Sequence, residues 1–180
     1  MTSLHRRLPV LLLVLLVLLV ACGGPSATGF QSWTGLDLVL PEGWQVFERR
    51  DTLLSVADAP LGDEDGDVGE RTVAVQLTYE PGSSAQAWRD LVTGDGGTIE
   101  VDERIDLDGL PATKLVFDWV TNGVPTREMV VLVPSRELVM LFQPVPVSGQ
   151  TDAPEVFLEH VEEFEAILAS IDFGAPPDSL

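Results

Sequence analysis

Residues 112–133 read Ala112-Thr-Lys-Leu-Val-Phe-Asp-Trp-Val-Thr-Asn-Gly-Val-Pro-Thr-Arg-Glu-Met-Val-Val-Leu-Val133. Two runs rich in β-branched and aromatic residues, Ala112–Val120 and Thr126–Val133, flank Asn122-Gly123. Asn-Gly accepts the positive φ angles of a tight two-residue turn, so the stretch reads as a β-hairpin. Reading outward, Asp108-Gly109 is a second turn of the same kind, and Ile99–Leu107 before it is another strand. Its apolar positions Ile99, Val101, Ile105 and Leu107 share one parity, with Glu103 the exception. After the hairpin, Pro134-Ser135 turns the chain into Glu137–Phe142, the last long strand. Together these form an antiparallel meander.

Further upstream the pattern is again strand-like. Leu36–Leu40, Trp44–Phe47 and Leu53–Ala57 are short apolar runs, and Arg71–Tyr79 alternates with Val73, Val75, Leu77 and Tyr79 on one face. A helix is expected at 84–93, with Ser83 and Gln86 as a capping box and Gly94 as its stop. A longer helix is expected over 152–170, with Asp152 at the N-cap and Glu155 in the first turn. Val156 or Phe157, His160 or Val161, Phe164, Ile167 or Leu168, and Ile171 recur along it at helical spacing, and glutamates fill the other face. The run of strands, helix, meander and helix does not alternate as a doubly wound fold does. The expected class is α+β, an antiparallel β-sheet flanked by helices.

Charge and cysteine content narrow the function. Asp plus Glu number 29 against 10 Lys plus Arg in 180 residues, for a formal charge of −19. No nucleic-acid partner is expected, because phosphate backbones call for a basic surface. The single cysteine, Cys22, forbids an internal disulfide and a structural thiolate zinc site.

That cysteine follows a leader. His5, Arg6 and Arg7 precede 14 apolar residues from Leu8 to Ala21. This is shorter than the ~20 residues a spanning helix needs, and it is the length of a signal-peptide core. Leu19-Val20-Ala21-Cys22 resembles the bacterial lipobox. That resemblance implies a diacylglyceryl group on the Cys22 sulfur, cleavage before Cys22 and acylation of the new amino group. Two or three acyl chains hold a protein durably where one does not. Gly23 stands where a retention signal for the inner membrane would have Asp. Loss of Arg6 and Arg7 leaves eight basic residues against 29 acids, or −21. The expected organisation is a lipoprotein signal peptide at 1–21, a flexible tether at 22–35, one domain at 36–175 and a loose tail at 176–180. The expected location is the extracytoplasmic face of a bacterial cell membrane.

No catalytic, cofactor-binding or metal site is expected. His160 is the only histidine after the leader, and no Gly-x-Ser-x-Gly elbow supplies a serine for it, so it reads as structural. Asp63, Asp65 and Asp67 invite comparison with a calcium loop. Val68 then occupies the glycine position and Ala74 the bidentate glutamate position, so the stretch reads as a solvated loop. Asp106 and Asp108 read as solvent-facing turn residues, and Gly94-Asp-Gly-Gly97 as a helix stop without a phosphate-loop Lys. Trp44, Trp88 and Trp119 read as core; Phe30 and Trp33 read as tether residues packing on the domain edge or at the membrane interface.

Three further stretches carry a family resemblance: Leu38-Val-Leu-Pro-Glu-Gly-Trp44, Ile105-Asp-Leu-Asp-Gly-Leu-Pro-Ala-Thr-Lys114, and Phe164-Glu-Ala-Ile-Leu-Ala-Ser-Ile-Asp-Phe173. In this order, over roughly 36–173, they resemble the PsbP-like group of α/β/α sandwich proteins, which includes DcrB-like and LpqN-like lipoproteins. The resemblance implies a binding or accessory role rather than an enzyme, and it carries no functional residue onto this chain. The expected function is a membrane-anchored, non-enzymatic binding or accessory protein of the envelope, which binds a protein partner or stabilises an envelope complex. The alternative is a carrier of a small apolar ligand or lipid, held between sheet and helix.

Overall fold

The computed structural model describes residues 30–59 and 71–174. Cys22, the leader, the acidic stretch 63–67 and the tail from 175 lie outside them. Strands β1 (Phe30–Trp33) and β2 (Leu36–Val39) form a two-stranded ribbon. A seven-stranded antiparallel sheet is built from β3 (Gln45–Arg49), β4 (Leu53–Ala57), β5 (Val73–Tyr79), β6 (Thr98–Leu107), β7 (Leu110–Thr121), β8 (Val124–Val133) and β9 (Leu138–Pro144). Their spatial order is β3-β4-β5-β9-β8-β7-β6. Helix α1 (Ala85–Gly94) covers one face; α2 (Ala153–Glu159), α3 (Val161–Ala169) and the β1–β2 ribbon cover the other. The α+β class is as expected, and the layers are helix, sheet, helix.

Alternation along each strand divides the core in two. Met129, Val131 and Val133 of β8 join Leu138, Met140 and Phe142 of β9 under α2 and α3. Val130 and Leu132 point the other way, joining Leu115 and Phe117 of β7 and Val92 of α1. At the β7–β8 turn, Asn122 and Gly123 have φ of 53° and 81°, the left-handed pair a two-residue hairpin requires. Gly97 permits a close approach: a Cβ there would lie 2.9 Å from the Asp118 carbonyl on β7, so only glycine lets the chain after α1 close on the sheet.

Four expectations are corrected. First, the residues assigned to a flexible tether at 22–35 include a strand, since β1 pairs with β2 from Phe30↔Val39 to Trp33↔Leu36. Trp33 is 3% exposed, stacks on Tyr79 at 4.8 Å and donates from Nε1 to the Arg50 carbonyl. Second, the apolar parity of β6 is broken. A bulge between Ile99 and Val101 sends Ile99 to the α1 side while Ile105 and Leu107 face α3. Third, the N-cap of α1 is Ser84 rather than Ser83, and its side chain accepts from Ala87 N–H. Gln86 bonds Asp90 instead of reaching back. Ser84→Ala is therefore expected to cost about 1 kcal/mol in chemical denaturation, and Ser83→Ala to change little.

Fourth, the helix expected over 152–170 is two helices, parted at His160. In a continuous helix the His160 amide would donate to the Val156 carbonyl. Here His160 Nδ1 lies 2.9 Å from that carbonyl, and the amide bonds Phe157 instead. The side chain thus replaces the backbone donor and the ladder slips. Asp152 does lie at the N-cap, but makes no capping bond and accepts from Arg71.

Candidate functional site

An open groove of about 770 Å³ lies at one end of the sheet. Three turns and strand ends meet there: Thr34-Gly35 from the β1–β2 turn, Tyr79 at the end of β5, and Pro134–Glu137 between β8 and β9. Tyr79 is held on both sides, by the Trp33 stack and by its hydroxyl donating to the Thr34 carbonyl at 3.1 Å. Burial pushes its phenol up, against a smaller downward pull from Arg136. Arg136 stands over the Phe173 ring at 5.2 Å and donates to the Phe173 carbonyl at 3.2 Å. The groove is thus aromatic and rigid on one side, and carries both Arg136 and Glu137 on the other. It suits contact with a mixed polar surface. A smaller cleft of about 300 Å³ lies beside Pro81, Trp88 and Leu91 of the α1 region.

The second notable group is buried. Glu128 of β8 is 1% exposed. Its Oε1 accepts from Trp119 Nε1 at 2.8 Å and from the Thr121 and Thr126 hydroxyls at 3.0 Å each. Its Oε2 is buried without a hydrogen-bond partner among the described residues. Burial pushes this carboxyl up, and the three donors pull it back only in part. Sequence reading missed it, although a signal existed: Glu128 shares the parity of Val130 and Leu132, so an acid stands on an apolar face.

The residues singled out in the sequence are dispersed. His160 has both ring nitrogens engaged, Nδ1 at the Val156 carbonyl and Nε2 at 3.3 Å from Asp58 Oδ2. Asp58 in turn accepts from the Val73 amide. This is a tie between the helix break and β5. Asp106 closes its own turn by accepting from the Gly109 amide. Asp108 is exposed, as expected, and one of its carboxylate oxygens also accepts from the Phe173 amide at 2.8 Å. Trp44 is core and bonds Glu163, whereas Trp88 and Trp119 are half-buried around Phe117. No group of three or more His, Cys, Asp or Glu able to hold a metal occurs among the described residues.

No family profile matches the chain, and no curated protein does. Among solved structures the chain is similar to PA94, a protein of unknown function from Pseudomonas aeruginosa, at 13% identity and a TM-score of 0.48, covering 83% of this chain and 97% of that one. It is also similar to the cyanobacterial PsbP protein of Synechocystis, at 15% identity and a TM-score of 0.48, covering 84% and 96%. A Bacteroides thetaiotaomicron protein matches at 11% identity and a TM-score of 0.42, over 85% of this chain and half of its own length.

Proposed function

We propose that this chain is a lipid-anchored protein of the bacterial envelope, held at the extracytoplasmic face through Cys22, which binds a protein partner and performs no catalysis. The leader, the Leu-Val-Ala-Cys22 box and the net charge of −21 that follows cleavage support this reading. The PsbP-like resemblance of the three quoted stretches agrees with it, as does the helix–sheet–helix layering.

The observation that carries the choice between partner binding and ligand carriage is the packing between sheet and helices. A carrier would hold its ligand there. The space is filled by Phe142, Phe157 and Phe164, all fully buried, with Phe164 centred 5.4 Å and 5.3 Å from the other two. An open groove lies at the surface, at Tyr79 and Arg136. Partner contact at the surface is therefore favoured over an apolar cargo.

The test begins at the anchor. In a bacterial host the native chain is expected to incorporate labelled palmitate and sediment with membranes. Cys22→Ser is expected to lose both the label and the sedimentation. Membrane association of Cys22→Ser without label would overturn the lipoprotein reading. Solvent extraction of the purified domain yielding a stoichiometric lipid would overturn the choice of partner over cargo.

A further inference from the structure

Three pairs of aspartate or asparagine followed by glycine lie among the described residues: Asp95-Gly96, Asp108-Gly109 and Asn122-Gly123. Such a pair has a chemistry of its own. Glycine carries no Cβ to shield its amide nitrogen, so that nitrogen can approach the side-chain carbonyl carbon of the residue before it.

The structure separates the three pairs. The Gly96 amide donates to the Thr93 carbonyl at 3.2 Å, at the end of α1. The Gly109 amide donates to Asp106 Oδ1 at 2.9 Å, and the Asp108 carboxylate accepts from the Phe173 amide at 2.8 Å. In both pairs the glycine nitrogen is tied. At the third pair, neither the Gly123 amide nor the Asn122 side chain has a hydrogen-bond partner among the described residues.

The two hairpin turns are otherwise alike. φ is 50° and 75° at Asp108 and Gly109, and 53° and 81° at Asn122 and Gly123. Asp106 and Val120 hold the same place, two residues before the first corner, and each lies opposite a proline, Pro111 and Pro125. Asp106 offers a carboxylate to its glycine amide; Val120 offers only methyl groups. Val120, Asn122 and Gly123 are all exposed, so water reaches the turn.

We propose that Asn122 is a site of spontaneous covalent modification, converted to aspartate and isoaspartate because the turn leaves the Gly123 amide free. The Gly123 nitrogen gives its proton to hydroxide and bonds to Asn122 Cγ. The Cγ–Nδ2 bond breaks, ammonia leaves, and a succinimide ring remains. Water opens that ring. Attack at Cγ yields aspartate; attack at the main-chain carbonyl carbon yields isoaspartate, whose main chain runs through Cβ and Cγ. Either product adds negative charge to the hairpin. The isoaspartyl form also lengthens the turn beside Thr121, a donor to the buried Glu128 carboxyl, and so acts on that cluster. This site is independent of the anchor and of any partner.

The test is mass analysis of the full chain after incubation in weakly alkaline buffer. Trypsin releases Leu115–Arg127, which holds the only asparagine of the sequence. In the folded native chain this peptide is expected to gain the mass of an amide-to-acid exchange and to split into aspartyl and isoaspartyl forms. Val120→Asp rebuilds the Asp106 arrangement. It is expected to slow the gain several-fold in the folded chain and to match the native chain in urea, where no turn is held. No gain in the folded native chain, over a time in which the urea-unfolded chain converts, overturns the proposal. Equal folded rates for Val120→Asp and the native chain also overturn it, as does isoaspartate forming at Asp95 or Asp108 as fast as at Asn122. Val120 is exposed, so its replacement is expected to leave the fold intact. Should it not, the folded and unfolded native chains still decide.

Discussion

Phe164→Ala is expected to destabilise the domain by about 3–5 kcal/mol, the range for emptying a buried aromatic site. Phe164 is fully buried on α3 and stands at the centre of an aromatic group. Trp44 meets it edge-on at 6.2 Å, Phe142 at 5.4 Å, Phe157 at 5.3 Å and His160 at 6.5 Å. These neighbours come from β9, from α2, from the break at His160 and from the chain entering β3. A void there cannot close by moving one side chain, because its walls belong to separate elements. Domains of this size are stable by only about 5–15 kcal/mol in total, so the loss takes a large share. Urea denaturation of Phe164→Ala and Phe164→Leu measures it, with the leucine variant intermediate and the slope m unchanged. A cost below about 1 kcal/mol for alanine would mean that α3 is not seated on the sheet as described.

The second large effect is one of pH. Glu128 is buried with one oxygen accepting three hydrogen bonds and the other without a partner among the described residues, and burial holds its carboxyl above the ordinary range. The interactions acting on it are burial and the Trp119, Thr126 and Thr121 hydrogen bonds. A raised folded-state pKa means the folded protein holds the proton more tightly than the unfolded chain. The stabilising contribution is therefore complete below the unfolded value of about 4.3 and is lost as pH rises through the folded value. Within that window the native chain is expected to lose up to about 1.4 kcal/mol per pH unit relative to Glu128→Gln. Glutamine keeps a carbonyl for the three donors and cannot ionise. Asp102 acts with the opposite sign. Its hydrogen bond from Arg89 holds it below the ordinary range, so its contribution is present above the unfolded value and lost in acid. Comparing denaturation midpoints of the native chain and Glu128→Gln from pH 4 to 8 isolates the Glu128 part. Parallel curves would show that Glu128 is ionised and compensated in the folded state.

The uneven legibility of the chain follows from the range of the forces involved. The β6–β9 meander could be read because its signals are local: alternation along each strand, and Asp-Gly and Asn-Gly at the turns. β1 was hidden because Phe30-Gln-Ser-Trp33 has no run of alternating apolar residues. What holds it is a partner strand and, for Trp33, the Tyr79 ring and the Arg50 carbonyl, all distant in sequence. The β6 bulge was hidden because Glu100 is one residue among several acids, and only pairing with β7 reveals the extra position.

The candidate surfaces were less legible than the fold. The groove at Tyr79 and Arg136 joins three segments spread from Thr34 to Glu137, with no motif in any of them. Glu128 looked like one of many acids until β7 supplied its three donors.

Residue order by itself determined the α+β class, the hairpins and the lipobox expectation at Cys22, because hydrophobic period, turn chemistry and a processing signal act over a few neighbouring residues. Tertiary structure alone decided the pairing of β1 with β2, the break at His160, the burial of Glu128 and which long strand ends the sheet. Each of these depends on what a distant segment brings into contact, and a carbonyl, a ring or a sheet edge changes its character only when that neighbour arrives or is absent.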